Sequence, residues 1–142
     1  MRPGAAKGEV GRRALVIDDD AATRELIGTF LEAAGYEVLA ADGGEAGIAL
    51  AATSSPHIII LDLVMPGMDG YAVCRALGSH PTTRLVPIIM ITGSDDPTLT
   101  RNAFAAGARA CVPKPFRREA LLAAMRAVVA GRARRDRADE GA

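Results

Sequence analysis

Five short apolar runs, each followed by a segment of helical period, constrain this chain more than any other feature. Ala14-Leu15-Val16-Ile17, Ile58-Ile59-Ile60-Leu61 and Ile88-Ile89-Met90-Ile91 are continuous apolar stretches. A strand of a parallel sheet, buried on both faces, reads this way. Val38-Leu39-Ala40 and Arg109-Ala110-Cys111-Val112 are weaker versions, suited to a sheet edge and a shorter strand. Between the first two runs, Leu26, Ile27, Phe30, Leu31 and Ala34 recur at helical spacing before Gly35, which supplies a left-handed stop. Ile48 and Ala52 mark a second helix opened by Gly43-Gly44, and Val73 and Leu77 mark a third. The fourth starts at Asp96-Pro97, a capping residue followed by proline at the first helical position, and ends near Gly107. Leu121, Ala124, Met125 and Val128 share one face of the fifth, ahead of Gly131.

Five β-α units predict an α/β fold: an open parallel sheet with right-handed crossovers and helices on both faces. The alternation leaves the strand order open, and 2-1-3-4-5 is one of two common doubly wound orders. The folded body is expected over residues 12–130. Residues 1–11 mix Gly, Pro and charge without periodicity and read as a mobile lead-in. Residues 131–142, GRARRDRADEGA, carry almost no large apolar group and read as a disordered tail or the start of a linker.

Charge narrows the function classes. Seventeen basic residues balance 17 acidic ones, which argues against a dedicated nucleic-acid binder. The Arg132–Arg137 run is itself interrupted by Asp136 and followed by Asp139 and Glu140. No apolar run approaches the roughly 20 residues of a membrane helix, and the first residues lack the apolar centre of a secretory signal. A cytoplasmic protein with no membrane partner is expected. Cys74 and Cys111 form neither a disulfide framework nor a metal-finger spacing and read as reduced packing residues.

In open α/β sheets, ligands sit beyond the carboxyl ends of the strands. Asp18-Asp19-Asp20 follow the first run and Asp62 the third. Thr92 follows the fourth, and Lys114 lies just beyond the fifth. If the first and third strands are neighbours, Asp18, Asp19 and Asp62 crowd together. Two unit charges ~4 Å apart repel by ~4 kcal/mol at an effective dielectric of ~20. Oxygen ligands of this kind suit a hard cation such as Mg²⁺. A carboxylate can act as a nucleophile toward phosphorus, Lys114 offers a cation to phosphoryl oxygens, and Thr92 offers a hydroxyl donor. Taken singly, each has a plainer reading. Asp20 reads as a helix cap, and Gly67 and Gly70 with Pro66 read as turn residues. Neither GxxxxGK[ST] nor GxGxxG occurs, so nucleotide binding has no motif behind it.

The blocks ALVIDDD, IIILDLVMPGMDGYAV, IIMITG and CVPKPF resemble, in order and spacing, the four signature blocks of response-regulator receiver domains of two-component systems. The resemblance covers about residues 12–130. It implies a flavodoxin-like (βα)5 sheet of order 2-1-3-4-5, an order for which a receiver is one of the worked examples of the general rule. It implies that Asp62 is the phosphoacceptor, Asp19 a direct Mg²⁺ ligand and Asp18 a ligand through water. The backbone carbonyl of Val64 would complete the metal site, Thr92 would be the switch hydroxyl and Lys114 the phosphate contact. Lys114-Pro115 matches the family's cis peptide. The implied partners are a sensor histidine kinase or histidine phosphotransfer protein and an unidentified downstream protein. That second partner would be met through the fourth helix, fifth strand and fifth helix. The chain would be a phosphoacceptor switch, monomeric or weakly dimeric, with only self-directed phosphotransfer and autodephosphorylation.

Two departures from the family pattern carry expectations. Cys111 stands where an aromatic ring is usual, so signalling is expected to run through the Thr92–Pro97 loop and the fourth helix. Val64, which with Ser94 lines the water path in relatives, cannot orient water, so a long-lived phosphoryl group is expected. The Gly78–Val86 segment is longer than in a minimal receiver and reads as a solvated loop or a recognition surface. Two other readings compete. One is a receiver fragment of a longer regulator. The other is an aspartate-based phosphatase, since Ile17-Asp18-Asp19-Asp20 resembles a haloacid-dehalogenase opening with Asp18 as nucleophile and Asp20 as acid. Against the phosphatase, Ala22 stands where that pattern expects Thr or Val, and there is no room for a substrate cap.

Overall fold

Isoleucine-rich runs become central strands because every side chain on them, up or down, must find an apolar neighbour. The computed structural model of the chain describes residues 11–141, with side chains described to Gly131, so nearly all of the 1–11 lead-in lies outside it. The strands are β1 (Arg13–Ile17), β2 (Glu37–Ala41), β3 (Ile58–Asp62), β4 (Ile88–Thr92) and β5 (Ala110–Pro113). They alternate with α1 (Ala21–Ala33), α2 (Gly44–Ser54), α3 (Gly70–Ser79), α4 (Pro97–Ala106) and α5 (Arg118–Gly141). All strand pairs are parallel, in the order β2-β1-β3-β4-β5. The expected fold and strand order are both present.

Strand alternation divides the interior into two layers. Leu15, Ile17, Ile59, Leu61 and Met90 point to one face, against Ala51 of α2, Val73 and Leu77 of α3 and Ala103 of α4. Val16, Ile58, Ile60, Ile89 and Ile91 point to the other, against Ile27 and Leu31 of α1 and Leu121, Met125 and Val128 of α5. Every residue of β3 and β4 is buried, whereas the edge strand β2 is not. The register pairs Ile17 with Leu61, Leu61 with Met90 and Ile91 with Val112, so the central strands end almost level. The residues that follow them are therefore delivered to one rim.

Caps set where the helices start and stop. Asp20, Asp69 and Asp96 precede α1, α3 and α4, and their carboxylates accept from the amides of Thr23, Ala72 and Thr98. Gly35 and Gly107 take positive φ values of 97° and 117° after α1 and α4. Gly67 turns the chain with φ 81°.

Two expectations need correction. Leu26 is not on the core face of α1; it is 50% exposed, and Ile27, Gly28 and Leu31 are the buried residues. Ala52 is exposed, and α2 packs through Gly44, Gly47 and Ala51. These helices lie close to the sheet through small residues, which a count of apolar positions passes over. The backbone of α5 is helical to Gly141. Once the docked turns of α5 have met the cost of nucleation, Arg and Ala propagate a helix readily, and one glycine at position 131 costs only ~1 kcal/mol. The Gly78–Val86 segment is solvent-exposed apart from Thr83 and Val86, and it is tied down by local bonds. The amides of Thr83 and Arg84 donate to the His80 carbonyl, Val86 N–H donates to Thr83, and the buried Thr83 hydroxyl donates to Leu77 O at 2.7 Å. Among the described residues no helix is long and apolar enough to cross a membrane.

Gly70 holds α3 against the end of β3. A Cβ there would lie 2.6 Å from the Asp62 carbonyl oxygen and 2.8 Å from Leu63 Cα, both backbone atoms that cannot step aside. At Gly78, later in the same helix, an added Cβ meets nothing within 4 Å. Gly70→Ala is expected to lose roughly 2–3 kcal/mol of stability, while Gly78→Ala gains up to about 1 kcal/mol. Urea midpoints at unchanged m-value would measure both.

Candidate functional site

The rim gathers most of the residues that sequence singles out. Asp18 leaves β1 almost fully buried, Asp62 ends β3 buried, and Asp19 beside them is exposed. One carboxylate oxygen from each of the three lies within 4.8 Å of the others. Lys114, just after β5, places Nζ 3.3 Å from Asp62 Oδ1 and 3.9 Å from Asp18 Oδ2. Its position is fixed through the backbone, because Lys114 N–H donates to the Thr92 carbonyl at 2.6 Å. The Lys114-Pro115 peptide is cis.

Thr92 ends β4, 1% exposed, and its hydroxyl donates to the Ser94 carbonyl at 2.7 Å rather than to a carboxylate of the cluster. The Val64 amide donates to the Asp62 carboxylate, while the Val64 side chain is 72% exposed over the rim. Asp20 takes no part. Its carboxylate is committed to the amide and hydroxyl of Thr23, which holds its carboxyl below the usual range. This is the helix-cap role.

Burial pushes the Asp62 carboxyl above the ordinary carboxylate range, with Lys114 pulling the other way and Asp19 adding repulsion. Burial likewise raises Asp18, opposed by the hydrogen bond that its Oδ1 accepts from Asp20 N–H and reinforced by Asp62. Three carboxylates facing one lysine leave an excess of negative charge. Asp18 Oδ2 is also buried without a hydrogen-bond partner. A buried acceptor left in this state is unusual. Hard oxygen donors in this number, with an unused buried lone pair among them, fit a small divalent cation such as Mg²⁺.

Sequence reading passed over three contributors. Arg24 of α1 donates from Nη1 to the Asp18 carbonyl at 2.8 Å, tying that helix to the acidic turn. Gly70 lets α3 touch the Asp62 backbone. Tyr71 donates its hydroxyl to the Leu99 carbonyl at 3.2 Å, joining α3 to the first turn of α4. Two of these partners are backbone carbonyls, which no residue type advertises.

A doubly wound parallel sheet with clustered carboxylates and one lysine at its carboxyl edge defines the class of small domains that act as phosphoacceptor switches. The chain belongs to the response regulator receiver domain family of two-component systems, matching it over residues 14–126. It is 40% identical over 116 residues to response regulator PleD of Caulobacter vibrioides, covering 82% of this chain and 26% of PleD. It is 35% identical to protein PilH of Pseudomonas aeruginosa over 119 residues, covering 84% of this chain and 98% of PilH. It thus spans nearly all of PilH, but only about a quarter to a half of other curated relatives. Among solved structures, it superposes on the receiver domain of sensor histidine kinase PA1611 of Pseudomonas aeruginosa with a TM-score of 0.78 and 26% identity. That match covers 85% of this chain and 99% of the other, whose active-site cleft coordinates a magnesium ion.

The raised Asp18 and Asp62 pKa values fix the sign of a pH effect. Above the ordinary carboxylate range the folded chain binds more protons than the unfolded one, so stability without divalent metal falls as pH rises until both groups are ionised. In EDTA, Asp18→Asn is expected to flatten this decline. It should also raise Tm at pH 7 by roughly 3 °C, the shift that about 1 kcal/mol produces in a chain of this size. Thermal melts from pH 4 to 8 would show it, roughly the span in which native carboxylates titrate.

Proposed function

We propose that Asp62 accepts a phosphoryl group from a phosphohistidine of a sensor kinase or phosphotransfer protein, with Mg²⁺ held by Asp18, Asp19, Asp62 and the Val64 backbone carbonyl. The observation that carries this reading is the juxtaposition of Asp62 and Lys114 at 3.3 Å inside the three-carboxylate cluster. An Asp62 carboxylate oxygen forms the bond to phosphorus as the bond from phosphorus to the donor imidazole nitrogen breaks, and that nitrogen keeps the electron pair. Lys114 is placed to neutralise the transferred oxygens, and the surrounding burial strengthens its effect. The bound cation supplies further neutralisation of charge on the phosphoryl oxygens. The chemistry is limited to this self-directed transfer and the later hydrolysis.

The switch works through Thr92. A phosphoryl oxygen is a stronger, charged acceptor than the Ser94 carbonyl, so modification draws the Thr92 hydroxyl away from Ser94 and releases the loop before α4. Cys111 on β5 is small and partly buried and offers no bulky rotamer change. The displacement therefore passes into the first turn of α4, which Tyr71 grips through Leu99. A downstream protein reads the face formed by α4, β5 and α5. The receiver acts in the cytoplasm, and PilH, nearly all of which this chain spans, consists of little more than such a domain.

Labelling by a small phosphodonor with Mg²⁺ is expected for the native chain and absent from Asp62→Asn, with a pulldown comparing the two states for partners. Labelling of Asp62→Asn equal to the native chain would refute the assignment. Val64→Asn is expected to lose its phosphoryl group roughly tenfold faster, the effect of one hydrogen bond of about 1.4 kcal/mol to the attacking water. Single-turnover decay of the isolated phosphoprotein would measure the ratio.

A further inference from the structure

The opposite, amino-terminal end of the sheet carries a second concavity that phosphotransfer does not use. It measures about 490 Å³ and lies between the end of α3, the 80–86 turn, the end of α4 and the entry to β5. This is the size of small-molecule sites. Three arginines from three separate elements line it: Arg75 on α3, Arg84 on the turn and Arg109 ahead of β5. No aspartate or glutamate does. Elsewhere arginines near the sheet are engaged, as Arg13 is with Glu37 and the Ser54 carbonyl. Among the described residues the guanidinium groups of Arg75, Arg84 and Arg109 make no ion pair or hydrogen bond.

Three arginines without an acidic partner border one hollow in a chain of zero net charge, a local excess of positive charge that favours an anion there. The backbone that carries two of them is fixed. Arg109 N–H donates to Ile88 O at 2.8 Å and Arg84 N–H to His80 O at 2.9 Å, and the turn itself is pinned by the buried Thr83 hydroxyl. The floor is apolar, made by Cys74, Val86, Ile88 and Ala106. Burial pushes the Cys74 thiol up to about 11, so it stays neutral and does not compete as an internal anion.

We propose that this pocket binds a compact phosphate-bearing small molecule, its phosphate held by Arg75, Arg84 and Arg109 and its apolar part resting on Cys74, Val86 and Ile88. Guanidinium forks match phosphate oxygens in geometry and charge, and three of them select a multiply charged group over a single carboxylate. The Gly78–Val86 turn, an addition to the minimal fold, thereby acquires a role: it supplies Arg84 and one wall.

The test is a titration of the intact chain in EDTA with pyrophosphate and with AMP, followed by backbone amide shifts and calorimetry. Saturable binding tighter than ~1 mM is expected. Shifts should centre on residues 75–86 and 106–109, and Arg84→Ala and Arg109→Ala should each weaken binding about tenfold. No saturation by ~10 mM, shifts confined to the acidic rim, or affinity unchanged in both arginine variants would overturn the site. Pyrophosphate binding as tightly as AMP would overturn the role given to the apolar floor. Neither guanidinium makes a hydrogen bond or ion pair among the described residues, so both variants should stay folded, and a melt run beside each titration verifies it.

Discussion

Crowding of like charge at the rim is the constraint around which the rest of the structure is arranged. Carboxylate oxygens within 4.8 Å of one another repel by about 3 kcal/mol per pair at an effective dielectric of ~20. A flexible frame would relieve that by letting them part. This frame is not flexible: Asp62 ends a strand buried along its whole length, Gly70 presses α3 onto its backbone, and Arg24 fixes the carbonyl of Asp18. The two packed layers of isoleucine, leucine and valine supply the stability against which the repulsion is held. The site is poised because the fold prevents the relaxation that its charges favour.

Most of this was legible in the chain itself, for a topological reason. Parallel strands of equal length put their carboxyl ends on one edge, so the residue after each apolar run lands at the rim whatever the helices do. Asp18, Asp62, Thr92 and Lys114 could be placed from their position after a run. What escaped were contacts made by absence or by backbone. Gly28 and Gly47 bring helices close to the sheet and Gly44 brings α2 against Val73 of α3, and hydropathy gives them no weight, which is why Leu26 and Ala52 were assigned to the wrong side. Arg24 and Tyr71 bond to carbonyl oxygens, whose position depends on the finished fold.

The link between the rim and α4 is short. Thr92 is held to Ser94, the Ser94 hydroxyl accepts from Asp96 N–H, and the Asp96 carboxylate caps α4 through Thr98. Each of these bonds spans two residues, so the loop behaves as a tensioned chain of local contacts rather than a slack connection. Tyr71 fastens the far side of the same turn from α3. In the proposed switch, with a small residue at Cys111, displacement of Thr92 would pass along this loop.

Five-residue central strands have a further consequence for electrostatics. At ~3.3 Å per residue, β4 separates the acidic rim from the arginine-lined hollow by roughly 16 Å, about twice the Debye length of physiological saline. Mobile ions therefore blind each end of the sheet to charge deposited at the other. If both proposed sites are filled, an anion at one pole would barely disturb an anion at the other, and any coupling between them would travel as strain through packed side chains.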